Sequence, residues 1–405
     1  MIQLLIFYFV ILFLHKLESF FFFNLFYLDK ISLFFNLLNL LIMFMFFFLN
    51  LKFWDFFFLM LLSFIMALVF MSQTLFQLYV YYELSLIPIF MIIINKGKQI
   101  ERKKASLYLF FFTLFFSFPF LALVIYFKTQ FFYSLLSTSN YNLNMSYMSI
   151  FLYLGFMAKL PIFFFHMWLP KAHVEAPVHG SMVLAGVMLK LGGYGLYKTI
   201  LVSYKSWLHL GVWSKSILAM GVLIASVYCL MLSDLKIIIA VSSVSHMSLS
   251  ALSMSVLSKE GMLGFFLMMI SHGFLSPLLF FFANCLYERS KTRSIFLSKS
   301  SFSYLFSIFL LIILSANFCF PPSLNFFSEV MISLSLISWN KYILVFIFGY
   351  MLASTIYSIF IFIYLSKWSS KNFNSKEFFV SELSLMIMSL SLIFFFFLLI
   401  SKKSY

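Results

Sequence analysis

Charge is what this chain has least of. Across 405 residues Asp and Glu number 12 and Lys and Arg 27, so only 10% of positions are charged. A soluble domain is nearer a quarter charged and half apolar, and this composition excludes an ordinary water-facing protein. Cysteine is also scarce. Cys229, Cys285 and Cys319 lie in apolar runs with no CxxC spacing and no His pair beside them. They read as buried, inert thiols, and metal or iron–sulfur ligation has no support. There is no GxGxxG, no Walker loop and no haem or flavin motif, so no redox cofactor is expected on this chain. The segment carrying His166, His173, Glu175 and His179 matches no zinc spacing, and its HVE stretch is expected in a proline-bounded turn.

What is abundant is apolar surface: 64% of residues, with a mean hydropathy of +1.06. Crossing a bilayer takes about 20 apolar residues, and runs of that length recur almost end to end. The fold class expected is an all-α polytopic membrane protein. Alternating segments of the kind that build membrane strands are absent. A net charge of +15 in a soluble chain would point to nucleic acid. Here the basic residues are expected in short loops, where they set topology, and no nucleic-acid partner is implied. A secretory signal is not expected, because no small-residue cleavage site follows the first apolar run. The 62 phenylalanines exceed what a bilayer demands over Leu or Ile and suggest a T-rich coding strand, hence an organellar genome.

About thirteen transmembrane helices are expected (range 12–14), near 1–14, 31–50, 53–71, 73–95, 105–127, 147–169, 178–201, 207–231, 236–257, 262–287, 303–339, 341–365 and 379–400. Alternating the loops from the 95–104 segment places fifteen Lys and Arg on its side and ten on the other. That bias puts the 95–104, 170–177 and 288–302 loops on the cytoplasm-like or matrix side. The domains expected are N-terminal helices over 1–52, two five-helix repeats over 53–201 and 207–365, and a C-terminal loop and helix over 366–405. In each repeat the fourth helix is broken by proline, at Pro161 and at Pro321–Pro322. Each broken helix carries an ionisable residue, Lys159 or Glu329, and each second helix a polar one, Glu83 or His246. An odd number of helices per block inverts the second copy, the arrangement of secondary transporters.

An ionisable side chain at bilayer depth costs roughly 2.5–3.5 kcal/mol on insertion scales, so each one kept there needs a reason. Glu83, in QLYVYYELSLIPIF, has two low-cost states: protonated, or paired with a cation; a static ion pair holding two helices is the plainer alternative. Lys159 stands two residues before Pro161, where a missing backbone donor frees carbonyls for water or an ammonium. A desolvated lysine can release its proton; an arginine cannot. Lys190 closes GSMVLAGVMLK before LGGYG, and Gly186, Gly192, Gly193 and Gly195 make a small-residue face best explained by close helix packing. His246 and His272 lie within consecutive spans. Singly each reads as a satisfied core residue; together, beside Ser242, Ser243, Ser245 and Ser271, they favour a hydrated relay. Glu329, eight residues past the second proline break, is placed to end it.

The stretch MAKLPIFFFHMWLPKAHVEAPVHGSMVLAGVMLKLGGYG, with YYELSLIPIF, SDLKIIIAVSSVSHMSLSAL, SHGFLSPLLFFFANCLYERSKTR and PPSLNFFSEV, closely resembles the NADH–ubiquinone oxidoreductase chain 4 family. These are antiporter-like, proton-pumping membrane subunits of respiratory complex I. The resemblance covers about 53–365 and implies roles for six residues in a proton relay. Glu83 matches the family's essential glutamate, Lys159 the lysine of the broken helix and Lys190 the lysine of the central axis. His246 and His272 match axis histidines, and Glu329 the exit-side glutamate. It also implies a mitochondrial inner-membrane location, partners among the membrane-arm subunits including chains 2 and 5, and the lipid bilayer. NADH, FMN, iron–sulfur clusters and ubiquinone are expected on other subunits. The short N-terminus leaves one helix of the usual fourteen unaccounted for. Two alternatives remain: a subunit of a cation/proton antiporter, and a structural scaffold whose polar residues are static pairs.

Overall fold

The computed structural model describes residues 30–46, 49, 51–97, 101–126, 149–296 and 304–366. The expected spans at 1–14 and 379–400, and the tail after 366, lie outside the described residues. Among those described, every named element is a helix, and an isolated antiparallel bridge joins Asp234 to Ser294. Helix is the form that satisfies every backbone donor and acceptor within its own segment, which apolar surroundings require.

The elements are α1 (Lys30–Phe46), α2 (Phe53–Phe70), α3 (Leu75–Leu84), α4 (Leu86–Lys96) and α5 (Arg102–Tyr126). Next come α6 (Ser149–Lys159), α7 (Trp168–Glu175) and α8 (Val178–Val183), the last running through a π turn at Leu184–Met188 into α9 (Leu189–Val202). They are followed by α10 (Tyr204–Met231), α11 (Leu235–Val256), α12 (Lys259–Ser290), α13 (Tyr304–Asn317), α14 (Leu324–Trp339) and α15 (Ile343–Ser366). Side chains mark several starts. Thr74 and Gln77 form a reciprocal capping box on α3, while Ser258 and Ser323 accept from Gly261 and Phe326 at the heads of α12 and α14.

Among the described residues seven stretches are long and apolar enough to cross a membrane: Phe53–Phe70, Leu75–Asn95, Arg102–Ile125, Ser214–Met231, Leu235–Val256, Lys259–Ser290 and Ile343–Ser366. The expected spans at 147–169 and 303–339 are instead pairs of short helices, because proline divides both. HVE is not a turn: His173, Val174 and Glu175 are the last residues of α7. The expected span at 73–95 is two helices meeting at Ser85. Pro88 lacks the donor that the Leu84 carbonyl would take, so α3 ends there.

α11 and α12 are buried along most of their length, whereas α2, α5 and α15 bury only part of theirs. The serines expected beside the two histidines turn their hydroxyls to their own helices. Ser242, Ser243 and Ser245 each donate to a carbonyl three residues back in their own helix, and Ser271 does the same in α12. A short hydroxyl satisfies itself in this way wherever apolar packing offers no other acceptor.

At one end of the bundle three connections meet. Leu235 N–H donates to Arg293 O (3.2 Å) and Ile295 N–H to Ser233 O (3.0 Å), fastening the 291–296 segment to the head of α11. Arg102 donates to the Gly97 carbonyl at 2.6 Å. A Cβ on Gly97 would lie 3.0 Å from the Glu175 carbonyl, so that turn packs on the end of α7. Burial raises the Glu175 carboxyl above its ordinary range, Arg293 and Lys236 opposing and Glu101 adding to the effect. The loops that charge counting placed on one side therefore gather at one end.

Not every basic residue is a loop charge. Lys198 and Lys215, both counted among the loops, are buried within helices. Lys198 stands 5.5 Å from the Tyr194 ring and Lys215 4.5 Å from the Trp339 ring. An ammonium over an aromatic face is held by the ring quadrupole, which offsets part of its desolvation.

Candidate functional site

Two helix breaks set the polar groups in place. At the first, Ile162 N–H turns back to the Leu160 carbonyl instead of continuing the helical pattern. The Ala158 carbonyl that a continuous helix would have used accepts from the Trp168 indole N–H at 2.9 Å. At the second, the Asn325 amide reaches back to the Ala316 carbonyl at 3.1 Å. Each break also holds one residue in the left-handed region, Phe164 (φ 78) and Cys319 (φ 63). In both, a side chain from the second half-helix closes the open end of the first, as buried carbonyls require.

Lys159, the last residue of α6, is fully buried. Its ammonium donates to the Tyr82 carbonyl at 3.0 Å and lies 3.0 Å from the centre of the Tyr82 ring. Tyr82 also ties the two helices together, its hydroxyl donating to Gly155 O at 2.9 Å. Glu83 is the next residue, and both of its carboxyl oxygens are buried without a hydrogen-bond partner. It acts electrostatically on Lys159 but forms no ion pair with it.

Lys190 follows the π turn. Leu189 N–H goes to Leu184 O, five residues back, passing over Ala185. The Ala185 carbonyl accepts from Lys190 Nζ at 2.6 Å, and the same ammonium lies 3.0 Å from His272 Nδ1. π turns are uncommon and concentrate where a helix must re-aim a functional side chain. Nothing in the sequence reading marked this one. The Gly-rich face packs as expected: a Cβ on Gly192 would meet Leu160 N at 2.6 Å, and one on Gly186 would meet Pro277 at 2.9 Å.

From Lys190 the polar groups continue. The His272 and His246 rings are 5.8 Å apart. His246 Nδ1 is 2.8 Å from the Tyr350 hydroxyl, which donates to Glu329 Oε1 at 2.7 Å. Lys190, His272, His246, Tyr350 and Glu329 are all at most 4% exposed. Five groups from α9, α12, α11, α15 and α14 thus form one interior chain. Tyr350 was missed, because a tyrosine in FGYMLAS has no distinguishing spacing; only the fold brings it between His246 and Glu329.

Of the six residues singled out, four are joined in this way and Glu83 and Lys159 form a second cluster. No hydrogen bond or ion pair links Lys159 to Lys190; the connection is through backbone, where Gly192 abuts Leu160. His173 is fully buried and stacked on Phe280 with centroids 4.4 Å apart. Among the described residues no group of three or more His, Cys, Asp or Glu is placed to hold a metal.

Comparison with known proteins places the chain in a family. The family model described as NADH:quinone oxidoreductase/Mrp antiporter, transmembrane, matches residues 72–356. NADH-ubiquinone oxidoreductase chain 4 of Apis mellifera ligustica is 38% identical over 320 residues, 76% of this chain and 70% of that one. The Myxine glutinosa chain 4 is 41% identical over 304 residues, 74% of this chain and 66% of that one. The Caenorhabditis elegans chain 4 is 39% identical over 290 residues, covering 70% and 68%. In fold the chain is similar to one from respiratory complex I of Thermus thermophilus with bound NADH, with a TM-score of 0.82 at 22% identity over 91% of this chain and 80% of that one. It is equally similar, at TM-score 0.82 and 16% identity, to a chain of an archaeal membrane-bound sulfane sulfur reductase, over 93% and 81%. A family match over most of the chain, together with relatives of this identity and coverage, shows that the chain belongs to the NADH-ubiquinone oxidoreductase chain 4 family.

Proposed function

We propose that this chain is a proton-translocating membrane subunit of NADH:ubiquinone oxidoreductase, with NADH oxidation and quinone reduction on other subunits. The observation that carries this reading is the interior row of polar groups from Lys190 through His272, His246 and Tyr350 to Glu329, in which only the 5.8 Å step between the two histidine rings has no hydrogen bond. Glu83 and Lys159 load a proton, Lys190 receives it, the two histidines pass it on and Glu329 releases it. The cation/proton antiporter alternative shares this family, but relatives such as those of Apis mellifera ligustica and Myxine glutinosa, 38% and 41% identical, carry the oxidoreductase name.

The finer architecture belongs to the same proposal: thirteen spans with two inverted repeats over 53–201 and 207–365. Matching break geometry supports the repeat, since Trp168 and Asn325 perform the same capping task. The mitochondrial inner membrane is the location that the relatives' names support, with chains 2 and 5 among the membrane-arm neighbours and FMN and iron–sulfur clusters elsewhere in the complex.

Moving one charge against ~180 mV costs about 4 kcal/mol, since 100 mV is worth roughly 2.3 kcal/mol per charge. The driving force must therefore reach this chain from the redox subunits. Lys159→Met removes the ammonium while keeping an apolar stem. Reconstituted complex carrying it should assemble but lose proton pumping, read as quenching of a pH-sensitive dye in vesicles. Normal pumping in that variant defeats the assignment.

A further inference from the structure

The second half of the interior chain contains a constraint that its distances set. His246 Nδ1 and Glu329 Oε1 are 4.0 Å apart, too far for a direct hydrogen bond. The Tyr350 hydroxyl lies 2.8 Å from the first and 2.7 Å from the second. A hydroxyl has a single hydrogen. While Tyr350 gives it to Glu329, His246 Nδ1 must carry a hydrogen and donate to the phenol oxygen. The hydrogen of neutral His246 is then on Nδ1. His246 Nε2 is buried and makes no hydrogen bond within 3.5 Å, and the Asn317 side chain is the polar group beside the ring. Glu329 Oε2 is likewise buried and makes no hydrogen bond within that distance, while the Cys319 thiol lies beside the carboxyl. The two open atoms stand at opposite ends of the His246–Tyr350–Glu329 triad.

We propose that Tyr350 is an obligatory relay residue, through which each proton passing between His246 and Glu329 moves in a paired transfer. A proton taken up at His246 Nε2 makes an imidazolium. The Nδ1 hydrogen then crosses to the phenol oxygen as the phenol hydrogen crosses to Glu329 Oε1. Two N–H or O–H bonds break and two form. One positive charge leaves the ring, one carboxylate is neutralised, and no electron changes hands. Afterwards Glu329 donates to Tyr350 and Tyr350 donates to Nδ1, which is the mirror arrangement. A second proton cannot follow until Glu329 discharges, the hydroxyl turns back and the imidazole exchanges which nitrogen carries hydrogen. The triad therefore passes one proton per reset. This rests on the relay reading of the site, and the test separates the two.

The test uses the intact complex in vesicles, comparing Tyr350→Phe with Glu329→Gln. Phenylalanine keeps the ring and its burial and removes only the hydroxyl. A lost acid–base group commonly slows proton transfer on the order of 10²-fold, and pumping by the Tyr350→Phe complex should fall accordingly. If Glu329→Gln stops pumping and Tyr350→Phe does not, the obligatory role is overturned and the relay reading stands. If neither variant changes pumping, the relay reading itself falls. A second measurement needs no variant: pumping by the native complex in mixtures of light and heavy water. Where proton transfer limits the measured rate, two protons in flight give a curved dependence on deuterium fraction, and a measurable isotope effect with a straight line overturns the paired transfer whether or not the phenylalanine variant assembles.

Discussion

At the scale of single residues, the six positions that sequence alone selected were selected by cost. An ionisable group in an apolar run is expensive, and Lys159, Lys190, His246, His272 and Glu329 are all buried in the fold. The same reasoning could not find Tyr350. A tyrosine within an apolar helix costs little and is common, so its role rests on where α15 lies against α11 and α14. Nor could it foresee that Ser242 and Ser245 would bond to their own helix rather than to His246. Glycine contacts were more legible, because a missing side chain signals close approach. Gly192 makes that measurable. A Cβ there would stand 2.6 Å from the Leu160 backbone nitrogen, which has no room to yield. Gly192→Ala should destabilise by about 1–3 kcal/mol, the usual range for overpacking. Thermal denaturation of the purified complex should show an earlier loss of this subunit, and an unchanged profile would contradict the packing described.

At the scale of elements, proline placement announced both helix breaks, and their positions followed from the sequence within a few residues. What it did not announce was how the broken ends are closed. Trp168 and Asn325 differ in chemistry and share no motif, yet each donates to a carbonyl left over by its break. Trp168→Phe and Asn325→Leu remove those donors at roughly similar volume. Leaving a buried carbonyl unsatisfied costs about 1–3 kcal/mol, so each variant should loosen its own break. Amide hydrogen exchange should accelerate at 156–166 in the first and at 314–323 in the second, with little change at the other. Equal protection in variant and native protein would mean that these contacts do not hold the ends. The π turn at Leu184–Met188 was also hidden, since no residue type marks a five-residue register and GSMVLAGVMLK reads as ordinary helix.

At the scale of the whole molecule, polytopic helical character followed from composition, while the helix count depended on treating proline-broken pairs as single crossings. Loop charge placed the 95–104, 170–177 and 288–302 segments on one face, and the structure gathers Gly97, Glu175 and Arg293 at one end. The relative placement of those loops was thus readable from counting alone. Lys198 and Lys215 blurred the count, because they are interior residues that a one-dimensional reading assigns to loops. The sidedness is open to direct measurement. A cysteine introduced at Lys291 should react with a membrane-impermeant maleimide only from the matrix side, in inverted vesicles and not in right-side-out ones. Labelling of right-side-out vesicles would reverse the orientation.

The resting position of Lys159 has a consequence for speed. Its amino group is parked on the carbonyl of Tyr82, one residue along the chain from the carboxyl it would neutralise. Switching between those two moorings asks for torsion about a buried side chain, slower than the picoseconds to nanoseconds of an exposed one, but for no sliding of helices, which takes microseconds or longer. A lysine that hands its charge over by turning in place can thus be reloaded while the helices around it stand still.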